Sequence, residues 1–114
     1  MNNSGAAAAE LDFDTLLEQA RKTSDLMKAL SHESRLLILC LLSEGEKSVS
    51  ELEEAMSMPQ AAVSQQLARL RFDRLVKTRR DGRMIYYSLA DEDISTLIKM
   101  LYEFFCKPLR ERRG

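Results

Sequence analysis

Pro59-Gln60-Ala61-Ala62-Val63-Ser64-Gln65-Gln66-Leu67-Ala68-Arg69-Leu70-Arg71 has the spacing of a helix with one apolar edge. Val63, Leu67 and Leu70 share a face and must point to a core. A helical wheel then turns Ala61, Gln65 and Ala68 outward, with Ser64 and Arg69 flanking them. Pro59 suits the first helical position, where its missing amide hydrogen costs nothing. The outward face lacks the Glu/Lys pairs that a plain solvated packing helix carries.

Upstream, Ser57-Met58-Pro59 reads as a turn. Before it, Ser48-Val49-Ser50-Glu51 matches a capping box, in which a serine and a glutamate satisfy free amides reciprocally. A short helix should follow to about Met56. Downstream, 75–80 and 83–89 read as strands joined by Asp81-Gly82, a strong hairpin signal.

Three more helices complete the chain. Phe13, Leu16, Leu17, Ala20, Met27 and Leu30 keep helical spacing, with Asp12 or Asp14 as a cap. Ser31 is expected to cap a second helix. Its body, 36–42, is apolar on all sides and so should lie at the centre, with Gly45 helping to end it. Asp91 should cap a final helix, with Glu92 and Asp93 favoured by the dipole at its start. Ile94, Leu97, Ile98, Leu101, Phe104 and Phe105 form its stripe, and Pro108 disfavours continuation past Lys107.

The predicted fold is therefore mostly α with a β-hairpin wing: a winged helix-turn-helix of five helices. It occupies 12–107 of the 114 residues, between a disordered tail of small residues (1–11) and a C-terminal tail (108–114). The hydrophobic share, 45%, is that of a globular domain, and one modest core of this size would gain from dimerisation. No apolar run spans a membrane and the start has no signal-peptide pattern, so a cytoplasmic protein with no membrane partner is expected.

Such a fold places helix 59–71 in the major groove of duplex DNA. Gln65 can pair with adenine, the alanines can touch thymine methyls, and Ser64 or Gln60 can reach bases or phosphates. Arg69, Arg71 and Arg74 can hold phosphates. Lys77, Arg79, Arg80 and Arg83 ring the hairpin, suited to backbone charge or an adjacent minor groove. The charge distribution agrees: residues 1–58 carry five basic and eleven acidic residues, 59–114 carry twelve and seven. A solvated charged surface would show the same run, so the motif and not the charge carries the reading.

Together, Leu30-Ser31-His32-Glu33-Ser34-Arg35-Leu36, Ser48 to Leu52, Gln60 to Leu67, Leu75-Val76 and Asp81-Gly82-Arg83-Met84-Ile85-Tyr86-Tyr87 resemble the ArsR/SmtB family of bacterial repressors, over residues 13–106. Gln66 stands where the family often has His, and Pro59 where Ser is common. The resemblance implies a homodimer built from the first and last helices, binding an operator inverted repeat.

Many such repressors sense metals, which requires several soft or imidazole ligands at one ion. Here the third helix has no cysteine, the last has Asp91 and Asp93 without histidine, and His32 is the sole histidine. No metal or cofactor is expected. Cys40 and Cys106 remain, and buried inert thiols are the plain alternative. Their placement is similar to that of the BigR/SqrR-like, persulfide-responsive group, in which a second-helix thiol faces one in the last helix. That likeness implies release from DNA when reactive sulfur species bridge Cys40 and Cys106. General oxidant sensing and thiol-independent regulation stay open. A protein-interaction module is the rival class. A small thiol enzyme would need a Cys-x-x-Cys, a nucleophile–base pair or a phosphate loop, and the sequence has none.

Overall fold

The computed structural model describes residues 12–105, in which α1 (Phe13–Leu30), α2 (Glu33–Leu42), β1 (Lys47–Ser48), α3 (Val49–Met56), α4 (Gln60–Phe72), β2 (Val76–Asp81), β3 (Met84–Leu89) and α5 (Glu92–Phe105) follow in order. The antiparallel sheet has the order β1-β3-β2. Its short first strand was invisible in the sequence, since two residues show no alternation. Lys47 and Ser48 pair with Tyr87 and Tyr86, tying the wing to the segment that opens α3. The two tails and Cys106 lie outside the described residues.

The caps show why the helices start where they do. Asp12 Oδ1 accepts from Thr15 N at 2.7 Å. Ser48 Oγ accepts from Glu51 N at 3.2 Å, and Glu51 Oε1 accepts from Ser48 N at 2.8 Å, closing the expected box. Asp91 Oδ1 accepts from Ile94 N at 2.9 Å. Two expectations need correction. Ser31 does not open α2: it ends α1, its hydroxyl donating to the Lys28 carbonyl at 2.8 Å, and His32 is the N-cap. Pro59 is likewise the cap of α4 and not its first residue, because ψ of 151° leaves it extended.

The α4 helix ends in a Schellman motif. Leu75 N donates to Leu70 O at 2.9 Å and Arg74 N to Arg71 O at 3.0 Å. The left-handed position of that motif is held by Arg74, with φ 62°, where glycine is usual. In the hairpin, Asp81 pairs with Met84, so the two loop residues are Gly82 and Arg83 and not the expected Asp81-Gly82. Positive φ at Gly82 (65°) and not at Arg83 is the pattern of a type II′ turn.

Ile38, Leu39, Leu52, Val63, Leu67, Leu70 and Ile98 are fully buried and join α2, α3, α4 and α5 in one core. Burying each such side chain contributes about 1.5–3 kcal/mol. The α2 helix is central, as its uniform apolarity suggested, but it is not enclosed, for Leu37 is 54% exposed. Arg35 on α2 reaches two other helices. Its Nε donates to Ala29 O at 3.0 Å and Nη2 to Lys28 O at 3.5 Å, both at the end of α1. Its Nη1 donates to Gln66 Oε1 on α4 at 3.4 Å.

Candidate nucleic-acid interface

The anchoring of Val63, Leu67 and Leu70 in the core turns the rest of α4 outward. Gln60, Ala61, Ser64, Gln65, Ala68, Arg69 and Arg71 are all exposed. Phe72, one residue past the expected end of the helix at Arg71, is 82% exposed. Phe72 extends the row Ala61, Gln65, Ala68 at spacings of four, three and four residues. The wheel carried one residue further contains that signal.

The hairpin register sorts the basic side chains. Paired residues share a face, so Val76, Thr78 and Arg80 lie with Leu89, Tyr87 and Ile85 on the inward side. Lys77, Arg79 and Asp81 lie with Ser88, Tyr86 and Met84 on the other. Lys77, Arg79, Arg80 and Arg83 are all exposed. Among the described residues, Lys77, Arg80, Arg83 and Arg71 form no ion pair.

Two of the expected arginines are already engaged. Arg69 Nε donates to Asp73 Oδ2 at 3.0 Å, one turn along α4. Arg79 donates through Nε (3.2 Å) and Nη2 to the two oxygens of Glu46. Its Nη1 lies 4.0 Å from Asp81 Oδ2, and its guanidinium stands 4.9 Å from the centre of the Tyr86 ring. The Arg79 hydrogen bond holds the Glu46 carboxyl below the usual carboxylate range. The same bond raises the Arg79 guanidinium above its own.

The wing tip and the starts of both helix-turn-helix helices converge. Ser48, Val49, Ser50, Gln60, Arg83, Met84 and Ile85 line a cleft of about 220 Å³. The wing thus leans over the N-termini of α3 and α4; the capping box already seats the Glu51 carboxylate at the first, whereas α4 has no side-chain cap hydrogen bond and the positive end of its dipole favours an anion. Ser50 and Gln60 meet Arg83 there across more than twenty residues of sequence, a juxtaposition with no local signal.

Cys40 is half-buried on α2 and packs against the core. Its carbonyl accepts from Ser43 Oγ at 2.6 Å. The α2 helix also packs on α5, whose last described residue, Phe105, precedes Cys106. Among the described residues, no group of three His, Cys, Asp or Glu side chains is placed to hold a metal ion. No helix there is long and apolar enough to cross a membrane.

The pattern described as "Bacterial regulatory protein, arsR family" matches residues 32–78. The biofilm growth-associated repressor of Agrobacterium fabrum is 39% identical over 99 residues, covering 87% of this chain and 85% of that protein. The chain belongs to the ArsR family of bacterial regulatory proteins. It is a regulator of that family and not an enzyme. The transcriptional activator HlyU of Vibrio cholerae is 35% identical, over 87% of this chain and 92% of its own. The structure of reduced HlyU superposes with a TM-score of 0.79 at 36% identity, covering 83% of this chain and all of that one. The homodimeric winged helix-turn-helix DNA-binding domain Mb0332 of Mycobacterium bovis superposes at 0.70 and 32% identity, over 83% and 86% of the two chains.

Proposed function

We propose that this ArsR-family chain is a dimeric repressor that reads an inverted repeat in duplex DNA with α4 and its wing. One observation carries the reading: Ala61, Ser64, Gln65 and Ala68 stand exposed in a row while Val63, Leu67 and Leu70 are wholly buried behind them. Small outward side chains let a helix approach base edges, and Gln65 offers the donor and acceptor that adenine requires. Gln60, Ser64, Arg69 and Arg71 are assigned to the flanking backbone, and Lys77, Arg80 and Arg83 to the phosphates beside the groove.

Dimerisation is supported by the apolar side chains left exposed on the outermost helices. Phe13 (72%) and Met27 on α1, and Met100, Phe104 (75%) and Phe105 on α5, are far more exposed than a monomer's surface favours. A second copy covering α1 and α5 would set two α4 helices about 34–36 Å apart, one helical turn of DNA. Mb0332, similar over most of the chain, is homodimeric.

For the signal, we propose reactive sulfur species acting on Cys40 and Cys106. A cysteine thiolate takes the outer sulfur of a persulfide and expels the donor's thiolate. The second cysteine then attacks the Sγ of that cysteine persulfide and expels hydrosulfide, leaving a disulfide. If both cysteines carry a persulfide, the bridge keeps an extra sulfur. Support comes from the packing of α2 on α5 and the likeness to HlyU and the biofilm growth-associated repressor. A bridge from α2 to the dimerising helix would tilt the readers out of their half-site spacing.

Gel shifts with DNA from upstream of the regulated operon test this. The parent binds and is released by a persulfide donor, whereas Cys40→Ser and Cys106→Ser bind and stay bound. Release by peroxide but not persulfide would make it an oxidant sensor. Unchanged release in both variants would remove the thiol switch, and binding that survives Gln65→Ala with Arg80→Ala would remove the reading face. Mass spectrometry of the joined Cys40 and Cys106 peptides identifies the bridge, with no added sulfur for the disulfide and one added sulfur atom where both cysteines had carried a persulfide.

A further inference from the structure

Arg79 sits among the wing's basic residues, yet its surroundings differ from those of its neighbours. Two of its guanidinium nitrogens face the Glu46 carboxylate, the third faces Asp81, and one face of the group rests near Tyr86. Lys77, Arg80 and Arg83 form no ion pair among the described residues. A phosphate would have to displace a two-pronged carboxylate to reach Arg79, in a field that Glu46 and Asp81 already cancel. Glu46 is also well placed for another task. It directly precedes β1, whose Lys47 pairs with Tyr87 on β3. Arg79 stands on the far strand, β2, opposite Tyr86. The ion pair therefore spans the sheet from the segment leading out of α2 to the outer strand of the wing.

We propose that Arg79 is a positioning residue and not a DNA ligand: with Glu46 and Tyr86 it forms a latch that fixes the attitude of the wing on the body. This rests on the DNA-binding reading and deepens it, dividing the wing's cations by role. Lys77, Arg80 and Arg83 supply charge to the phosphate backbone. Arg79 holds the strand from which they project, so that Arg83 stays over the cleft it shares with Ser50 and Gln60.

The salt dependence of DNA binding separates the roles, since each lost phosphate contact flattens the plot of log affinity against log salt by about 0.9. The probe is a fluorescein-labelled duplex of mixed sequence, about 30 base pairs long to admit both half-sites. Arg83→Gln and Arg80→Gln each flatten the slope by about 1.8, one contact being lost from each protomer of the bound dimer. Arg79→Gln leaves the slope unchanged and lowers affinity about two- to fivefold, the range of an exposed ion pair. Glu46→Gln does the same, and the double variant is no weaker than either single one. A slope flattened by about 1.8 in Arg79→Gln would overturn the proposal and make Arg79 a phosphate ligand in both protomers. Tighter binding by Glu46→Gln would overturn it too, making Glu46 a competitor of DNA.

A second measurement needs no DNA. Hydrogen exchange of the β1, β2 and β3 amides should quicken equally in Arg79→Gln, Glu46→Gln and the double variant. Unchanged exchange in all three would remove the latch. A parent chain that binds no duplex would refute the proposed function, while exchange still decides the latch.

Discussion

Replacing Arg74 by glycine should stabilise this protein. Arg74 holds the left-handed position of the Schellman motif that ends α4, with φ 62° and both motif hydrogen bonds formed. An L-residue there crowds its Cβ against the following carbonyl, at a cost of about 1–2 kcal/mol. Glycine removes that cost but loses about 0.5–1 kcal/mol to the greater freedom of its unfolded chain. The side chain of Arg74 is exposed and in no ion pair among the described residues, so its removal offsets little. The net gain for Arg74→Gly is about 0.5–1 kcal/mol, or about 2–8 °C in melting temperature. Arg74→Ala is the control, since it removes the guanidinium and keeps the strain; it should stay within about 0.5 kcal/mol of the parent. Arg74→Asn should fall between, because asparagine tolerates this conformation. Urea unfolding at one fixed protein concentration reads the difference, the concentration being held because the proposed dimerisation would contribute. A glycine variant no more stable than the alanine variant would refute the reasoning. Both variants lose the same charge, so any effect on DNA affinity should be equal in the two and separable from the gain in stability.

Three further outcomes are expected. Ser48→Ala, which deletes the buried hydroxyl of the α3 capping box, should cost about 0.5–2 kcal/mol by urea unfolding. Phe104→Glu, a charge on the exposed apolar end of α5, should shift sedimentation from dimer to monomer and weaken DNA binding together with it. Glu46 has a depressed carboxyl, so its contribution is present above the ordinary carboxylate pKa and lost as the pH falls through the depressed value. The difference in stability between parent and Glu46→Gln, present at neutral pH, should therefore begin to shrink as the pH falls past the ordinary carboxylate range and vanish once it has passed through the depressed value.

What the sequence revealed and what it withheld follow from the range of the interactions involved. The core face of α4, the capping box and the Asp91 cap all act within four residues, and local spacing displayed them. The outward row of α4 followed from its inward row. The end of α4 was harder, because a Schellman turn is announced by glycine and here Asp73-Arg74 occupies that place. Gly82 was seen, but the frame of the turn depends on which cross-strand pair closes it, Asp81 with Met84. Strand β1 exists through its pairing with β3, some forty residues away. Arg79 read as one more wing cation because its partner, Glu46, lies 33 residues earlier. Ser31 follows one helix and precedes another; both roles are open in the sequence, and its hydroxyl turns back to the Lys28 carbonyl.

Arg35 has a consequence for the spacer between half-sites. Its guanidinium grips the last carbonyls of α1 and touches Gln66 beside Gln65. A reader clasped in this way to a helix of the proposed dimer interface cannot swivel to suit a stretched palindrome. Loosening the clasp with Arg35→Lys, which lacks the planar fork, should make the protein more permissive, accepting operators with a base pair inserted at the dyad while losing little affinity for one half-site alone.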